Sequence, residues 1–217
     1  MGAMDERLME RYLSREGAEE YARKYLRSPL RRFSNRREFS VVRRALAVAG
    51  ASGEVLDVPC AAGRLVPVLL ERASRVTAVD LSPAMVEVAR ASHRAEVEAG
   101  RAIMVEGAAE SLPFPDGAFD TAVCWRLLHH LTDRAVRLQI MRELARVSRR
   151  AVVASFADSS TVKARLQRLR GRNRRCVKWT SAEFATEARE AGLIVRETFR
   201  LSTCFSIVAA AVLVPQR

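Results

Sequence analysis

The stretch Glu54–Pro83, EVLDVPCAAGRLVPVLLERASRVTAVDLSP, decides the fold of this chain. It holds two apolar runs, EVLDV (54–58) and RVTAVD (75–80), each of the length of a buried strand. Between them, a loop of small residues leads into RLVPVLLERA (64–73), which we predict to be a helix. The order strand, loop, helix, strand is the unit from which parallel sheets are built. The stretch therefore predicts an α/β protein.

The same alternation continues through the rest of the chain. The pattern predicts a Rossmann-like, doubly wound, seven-stranded and mostly parallel sheet, covered by helices on both faces. The last two predicted strands are close in sequence, so we expect the last strand to be antiparallel. The further strands are predicted at 102–107, 118–125, 151–156, 193–201 and 205–214, and the further helices at 82–100, 133–148 and 180–192.

Two helices are predicted before the first strand. One is a charged arm over 5–27, which Gly17 should break or kink and which Ser28 and Pro29 should end; the other covers 36–49. We expect residues 1–50 to form a helical lid and residues 51–217 to form one globular unit, with a basic insertion at 158–178. The first four residues, MGAM, resemble an expression scar.

Composition narrows the classes of function. No apolar run reaches 18 residues, so no membrane span is predicted. The four cysteines are far apart and the histidines form no ligand cluster, so we predict no metal site and a reducing, cytoplasmic location.

The net charge of +12 is concentrated in two arginine-rich segments, RSPLRRFSNRR (27–37) and KARLQRLRGRNRRCVK (163–178). Basic clusters of this kind can meet a phosphate, a carboxylate or RNA, and they can equally be solvated helix faces.

The loop after the first strand carries the candidate binding chemistry. Its small residues, 60–63, permit a sharp turn, and a helix starting near Arg64 would point free N–H groups at a ligand. Asp80 can accept both hydroxyls of a ribose, and Asp57 can hold an ammonium group. The loop lacks the G-x-G-x-x-G pattern that a pyrophosphate needs. Two acids would favour a zwitterionic amino-acid tail joined to a nucleoside.

Residues 53–157 resemble the class I S-adenosylmethionine-dependent methyltransferases, in the group that includes the ubiquinone and menaquinone biosynthesis enzymes. The motifs that carry the resemblance are VDLSPAMVEVAR (79–90) and ESLPFPDGAFD (110–120), beside the loop DVPCAAG (57–63). The resemblance implies a methyltransferase that uses S-adenosylmethionine and releases S-adenosylhomocysteine.

The resemblance also implies cofactor-binding positions. The first motif places Asp57, Val58, Pro59, Cys60, Ala61 and Gly63 around the amino-acid tail. Asp80 would hold the ribose, Leu81 would lie on the adenine, Ala108 and Ala109 would read the adenine edge, and Trp125 would stand beside the methyl group.

Two departures from the family pattern predict weaker cofactor binding. Pro59 and Ala61 stand where the family has glycines, and a positive φ at Ala61 would cost about 1–2 kcal/mol. Ala108 stands where the family usually has an acid, and the lost hydrogen bond would weaken binding by roughly 0.5–1.5 kcal/mol.

On the acceptor side, His130 and, second to it, His129 are candidate catalytic bases, because they follow the fourth strand where the methyl group should emerge. Arg126 would bind an acidic substrate or pair with a carboxylate of the N-terminal arm. Tyr12, Tyr21 and Tyr25 would shape the acceptor pocket, or else attach the arm to the sheet. We expect His93 to lie at the surface, far from the site.

The sequence predicts a methyltransferase acting on a small, anionic acceptor that is carboxylated or phosphorylated. One alternative is a methyltransferase-like protein that has lost catalysis and serves as a binding or partner subunit. A second alternative is an RNA methyltransferase, although no recognised RNA-binding module is present.

Overall fold

The structure is a computed structural model that describes residues 13–24, 28–169, 176–201 and 207–216. Two helices come first, α1 (Arg15–Lys24) and α2 (Pro29–Ala49). Gly17 lies inside α1 and is buried, so the predicted break at this glycine is wrong. The second helix begins at Pro29 rather than at residue 36, because the Ser28 side chain accepts a hydrogen bond from the Arg31 amide and caps the helix.

Seven strands form a single sheet in the order β3-β2-β1-β4-β5-β7-β6. All neighbouring pairs are parallel except those that involve β7, which is antiparallel to both β5 and β6. The predicted fold class is therefore confirmed. The strands are β1 (Glu54–Asp57), β2 (Arg75–Asp80), β3 (Ala102–Glu106), β4 (Phe119–Cys124), β5 (Ser148–Ala157), β6 (Leu193–Arg200) and β7 (Val208–Pro215).

The remaining helices connect these strands. They are α3 (Val66–Leu69), α4 (Pro83–Ser92), α5 (Arg94–Glu98), α6 (Arg134–Val147), α7 (Val162–Leu169) and α8 (Ser181–Glu190). Side-chain caps begin two of them: Ser82 caps α4, and Thr180 forms a capping box with Glu183 at the start of α8. Two helices differ from their prediction, since α3 has only four residues and the helix predicted over 82–100 divides at His93.

The core lies on both faces of the sheet. One face packs against α2 and α4, and the other packs against α6 and α8. The C-terminal half of α2 contributes Val41, Val42 and Leu46 to the first of these cores. The proposed boundary at residue 50 stays a prediction. Within the described residues, no helix has both the length and the apolar character that a membrane span needs, and no cluster of three or more potential metal ligands occurs.

Candidate functional site

The site lies where the strand order reverses. Strand β1 has β2 on one side and β4 on the other, so the chain leaves β1 at the switch point of the sheet. In open α/β sheets, ligands bind at this crevice, at the carboxyl ends of the strands. The carboxyl ends of β1 and β2 carry Asp57 and Asp80 here.

The loop after β1 turns through two residues with positive φ. Ala61 has φ 47° and Gly63 has φ 74°, while the peptide bond between Val58 and Pro59 is cis. Ala61 therefore adopts the left-handed conformation, which the sequence had left open. An alanine there costs about 1–2 kcal/mol relative to the extended or helical regions. The loop makes this tight turn with Gly63 as its single glycine.

The loop amides are largely used within the protein. The Ala61 amide donates to Oδ2 of Asp80 at 2.8 Å, and the Gly63 amide donates to the Cys60 carbonyl at 3.0 Å. The next helix starts at Val66 and has four residues. The helix predicted over 64–73 therefore starts two residues later and is shorter than predicted, while the binding of a ligand by N–H groups of this turn stays a prediction.

Asp57 is a buried carboxyl group without a donor. Its side chain is fully buried, and neither carboxyl oxygen has a hydrogen-bond partner among the described residues. Burial raises the pKa of Asp57 to about 8; the charge of Arg64 opposes this shift and the charge of Asp80 adds to it. An unpaired buried carboxylate is costly, and an ammonium group placed against it would remove that cost. Asp57 therefore has the properties of a cation receptor.

Asp80 lies beside the loop and keeps capacity for a ligand. Its two oxygens accept hydrogen bonds from the amides of Ala61 and Ser82, at 2.8 and 3.0 Å. Each carboxylate oxygen has two lone pairs, so both can accept a further hydroxyl donor. Burial raises the pKa of Asp80, and the hydrogen bonds from Ser82 and Ala61 oppose this shift. Among the described residues, no ion pair involves Asp80.

The residues predicted to meet an adenine surround this carboxylate. Leu81 is 48 % exposed although it is apolar, and it follows Asp80 directly. The Gly107 amide donates to the Asp80 carbonyl at 3.0 Å, which brings the next residues, Ala108 and Ala109, to the same edge. An exposed leucine beside a ribose-binding carboxylate suits the face of a purine. The residues present thus fit an adenosine that carries a cationic tail.

A buried glutamate on α2 joins three parts of the site. Glu38 is fully buried and accepts hydrogen bonds from Nε1 of Trp125 and Nε of Arg126, each at 3.1 Å. Nη2 of Arg64 lies 3.1 Å from the same carboxylate, and Nη2 of Arg126 forms a second ion pair with it. Burial alone would raise the pKa of Glu38, but Arg126, Arg64 and Trp125 lower it below its usual range.

Arg126 therefore pairs with a carboxylate, but this carboxylate lies on α2 and not on the arm over 5–27 that was named as the alternative to a substrate contact. Its backbone has φ 62°, and its amide donates to Oγ of Ser155 at 2.6 Å. Glu38 was not predicted from the sequence to be a residue of the site. The available signal was an acid on the apolar face of a basic helix, since Val41, Val42 and Ala45 follow it at helical spacing and are buried.

The two adjacent histidines occupy different environments. His129 is 5 % exposed, its Nδ1 atom has no partner among the described residues, and burial lowers its pKa to about 3. His130 is half-buried, and its pKa is lowered by burial and by the positive charges of Arg126 and Lys24. Of the two, only His130 keeps an exposed part with which to meet an acceptor.

The helix α1 covers the amino-acid end of the site. Its Ala18 packs against Ala62 of the loop and Met85 of α4, while Tyr21 forms one wall of a cleft. Tyr12 and Tyr25, which were predicted to share this role, lie outside the described residues. The cleft has a volume of about 10 Å³, which is near the space of one water molecule. The other walls are formed by Pro59, Cys60, Ala61, Arg64, Leu65 and Trp125.

Comparison with known proteins identifies relatives of this chain. The methyltransferase domain family matches residues 55–151. An uncharacterised methyltransferase of Bacillus subtilis is 37 % identical over 114 residues, covering 52 % of this chain and 44 % of the relative. A ubiquinone biosynthesis O-methyltransferase of Xanthomonas euvesicatoria is 39 % identical over 93 residues, covering 41 % of this chain and 36 % of the relative. The chain thus spans under half the length of these curated relatives.

Solved structures share the fold over more of the chain. Magnesium protoporphyrin IX methyltransferase from Synechocystis, with bound S-adenosylhomocysteine, has a TM-score of 0.76 at 19 % identity and covers 97 % of this chain and 100 % of that one. An O-methyltransferase from neocarzinostatin biosynthesis, in complex with S-adenosylhomocysteine and 1,4-dihydroxy-2-naphthoic acid, has a TM-score of 0.64 at 23 % identity. It covers 82 % of this chain and 53 % of that one.

These matches and the sheet order confirm the family that the sequence predicted, together with the cofactor of that family. Residues 55–151 match the methyltransferase domain family.

Proposed function

We propose that this chain transfers a methyl group from S-adenosylmethionine to a small, anionic acceptor. The observation that carries the proposal is Asp57, which is fully buried at the switch point with neither oxygen hydrogen-bonded by a described residue. Natural proteins rarely keep an unpaired buried carboxyl group without a use for it. The ammonium group of a methionine tail is the partner that this position would receive.

Different residues of the chain would bind different parts of the cofactor. Asp57 takes the ammonium group and Asp80 takes the ribose hydroxyls, while Leu81 and the segment of Ala108 and Ala109 enclose the adenine. When bound, S-adenosylmethionine supplies an electrophilic methyl group. Most of the rate then comes from holding the acceptor in line with that group.

The acceptor side of the site is positively charged. Lys24 on α1 and Arg126 after β4 both lie close enough to His130 for their charges to lower its pKa. Although Glu38 neutralises one guanidinium group, Arg64 shares the same carboxylate, so the cluster keeps a positive charge. These charges favour an acceptor that carries a carboxylate or a phosphate. The bound 1,4-dihydroxy-2-naphthoic acid of the structural neighbour is a hydroxylated carboxylate of this kind.

His130 is the residue that we assign to proton removal. Because its pKa is lowered, its imidazole is neutral near pH 7 and can accept the proton that a hydroxyl acceptor loses. His129 is buried against the core and is assigned no contact with the acceptor.

Two measurements test the proposal. Calorimetric titration with S-adenosylhomocysteine should show binding to the wild-type protein and much weaker binding to Asp57→Asn, with Asp133→Asn as a control at an exposed carboxylate that caps α6. No heat at millimolar ligand would favour the catalytically inactive alternative.

The second measurement concerns the acceptor. Methyl transfer from labelled S-adenosylmethionine should be detected by mass spectrometry with 1,4-dihydroxy-2-naphthoic acid as a first probe, and more weakly with its neutral amide. Equal transfer to the acid and the amide would contradict the assignment of an anionic acceptor while leaving the methyltransferase assignment intact.

A further inference from the structure

The tail of the proposed cofactor carries a carboxylate as well as an ammonium group, and the structure restricts what can bind it. Backbone amides of a tight loop can bind a carboxylate. Here the Ala61 amide is bonded to Asp80 and the Gly63 amide to the Cys60 carbonyl. The helix that follows is too short to offer an anion site at its N-terminus. A side chain that lines this end of the cleft is therefore better placed to bind a carboxylate than these two amides.

Arg64 is placed to be that partner. It directly follows Gly63, its side chain is 11 % exposed, and it lines the cleft together with Cys60 and Ala61. Its charge also acts on Asp57, whose carboxyl group it stabilises in the ionised form. The ammonium and the carboxylate of an amino acid are attached to the same carbon atom. A receptor for one must therefore stand close to a receptor for the other, as Arg64 and Asp57 do.

The side chain of Arg64 is held in position by α2. Its Nη1 atom donates to Oδ1 of Asn35 at 2.7 Å, and its Nη2 atom lies 3.1 Å from Oε2 of Glu38. Its guanidinium carbon also lies 5.9 Å from the centre of the Phe39 ring. Anchoring of this kind lowers the entropy cost of binding an anion, because the long side chain is already ordered.

The charges of the cluster favour an incoming anion. Glu38 supplies one negative charge to the two guanidinium groups of Arg64 and Arg126, so these three side chains carry a net charge of one positive unit. A positively charged cluster beside the cleft attracts the carboxylate of a ligand.

From these observations we propose that Arg64, anchored by Asn35 and Glu38, binds the α-carboxylate of the cofactor's amino-acid tail. This inference rests on the proposed function. It assigns the zwitterion of the tail to two residues, with Asp57 for the cation and Arg64 for the anion.

The test compares two ligands that differ only in the carboxylate. These are S-adenosylhomocysteine and its decarboxylated analogue, S-adenosyl-3-thiopropylamine, titrated calorimetrically into wild-type protein, Arg64→Gln and Arg64→Lys. In the wild type, S-adenosylhomocysteine should bind about 10- to 100-fold more tightly than the analogue. Arg64→Gln should lose that preference while it binds the analogue as the wild type does. Arg64→Lys should keep part of the preference, since it retains the charge but not the fork of donors.

The matched control is Arg72→Gln, an exposed arginine on the same connection between β1 and β2 that should leave both affinities unchanged. An Arg64→Gln variant that weakens both ligands equally would show a merely structural role and overturn the assignment. So would a wild-type protein that binds both ligands equally well. A wild-type protein that binds neither ligand would instead overturn the proposed function, and the assignment with it.

Discussion

The Nε2 atom of His93 lies 2.8 Å from the carbonyl oxygen of Gly63, which ties the end of α4 to the loop that follows β1. With a proton on Nε2, the imidazole donates this hydrogen bond. His93 is half-buried and divides the helix predicted over 82–100 into α4 and α5. The expectation that His93 lies at the surface far from the site is therefore wrong. Because of this contact, a Cβ at Gly63 would clash with the imidazole of His93.

Gly63→Ala should destabilise the protein through two effects. The glycine has φ 74°, which strains any residue with a Cβ, and that Cβ would lie 2.7 Å from Cδ2 of His93. We expect a loss of about 2–3 kcal/mol in the free energy of unfolding, measured by urea denaturation. Gly192→Ala is the control, because Gly192 has φ 78° but no atom within 4 Å of the new Cβ. Equal losses in the two variants would show that the contact with His93 contributes nothing.

Ala61→Gly should stabilise the loop and tighten cofactor binding. The substitution removes the strain of an alanine at φ 47° and the Cβ that narrows the cleft. After the entropy cost of a glycine, we expect a gain of up to about 1 kcal/mol in unfolding free energy. S-Adenosylhomocysteine should also bind more tightly, as calorimetry would measure. The neighbouring Ala62→Gly is the control: Ala62 has no positive φ, so glycine there should destabilise. Looser binding by Ala61→Gly would contradict this account of the loop.

Asp57→Asn should make stability less dependent on pH. The folded-state pKa of Asp57 is about 8, above the ordinary value of 3.8, because the group is buried. Between these two values, the folded state holds a proton that the unfolded state has released, so wild-type stability falls as pH rises from about 4 to about 8.

The asparagine variant lacks this ionisation. Urea unfolding at pH 5 and pH 8 should show a smaller loss of stability in the variant than in the wild type. If both proteins lose the same amount, Asp57 does not titrate in this range. The same variant should bind S-adenosylhomocysteine poorly, which separates the use of the residue from its effect on stability.

Asp80→Ala should weaken S-adenosylhomocysteine binding by about 1.5–3 kcal/mol, because a charged acceptor for the ribose hydroxyls is lost. The substitution also leaves the amides of Ala61 and Ser82 without their acceptor. Asp80→Asn keeps one acceptor oxygen and should bind with intermediate affinity. The affinity of Asp80→Ala for adenosine, which has the ribose but no amino-acid tail, should fall by a similar factor relative to the wild type. An unchanged affinity for adenosine would show that Asp80 does not hold the ribose.

Lys24→Met should shift the acid limb of the rate profile to higher pH. The charge of Lys24 helps to keep the pKa of His130 below 6.5, so its removal should raise that pKa. Since a general base acts only when neutral, methyl transfer at low pH should fall in the variant, while transfer at pH 8 and saturating acceptor stays unchanged. Lys178→Met is the control, because Lys178 is not among the charges that shift this histidine. Identical acid limbs in the two variants would argue against His130 as the base.

The sheet could be predicted almost completely from the sequence, because it depends on local signals. β2 was predicted residue for residue. Hydrophobic runs of strand length and capping side chains are encoded within a few neighbouring residues. The helix after β1 was overestimated, because its apolar spacing continues beyond Leu69 while the backbone does not.

The site was predictable only in part. Acids at strand ends reveal Asp57 and Asp80, since strand topology alone brings them together. Glu38, Arg64 and His93 act through contacts between residues 26 to 88 positions apart, or bind backbone atoms. Such contacts cannot be predicted from the spacing of residues along the sequence. The lack of a hydrogen-bond partner for the Asp57 carboxyl group among the described residues is likewise a result of packing. The RNA alternative and the roles of Tyr12 and Tyr25 stay predictions.

The buried carboxylate of Glu38 also bears on how the protein can be dissected. The matched family region starts at residue 55, whereas the counterion of Arg64 and Arg126 sits on a helix that ends before it. Expression of the matched region alone would remove the carboxylate with which both guanidinium groups pair and would expose the core face that α2 buries. We therefore expect the minimal autonomous unit to include α2 and to be wider than the matched family region.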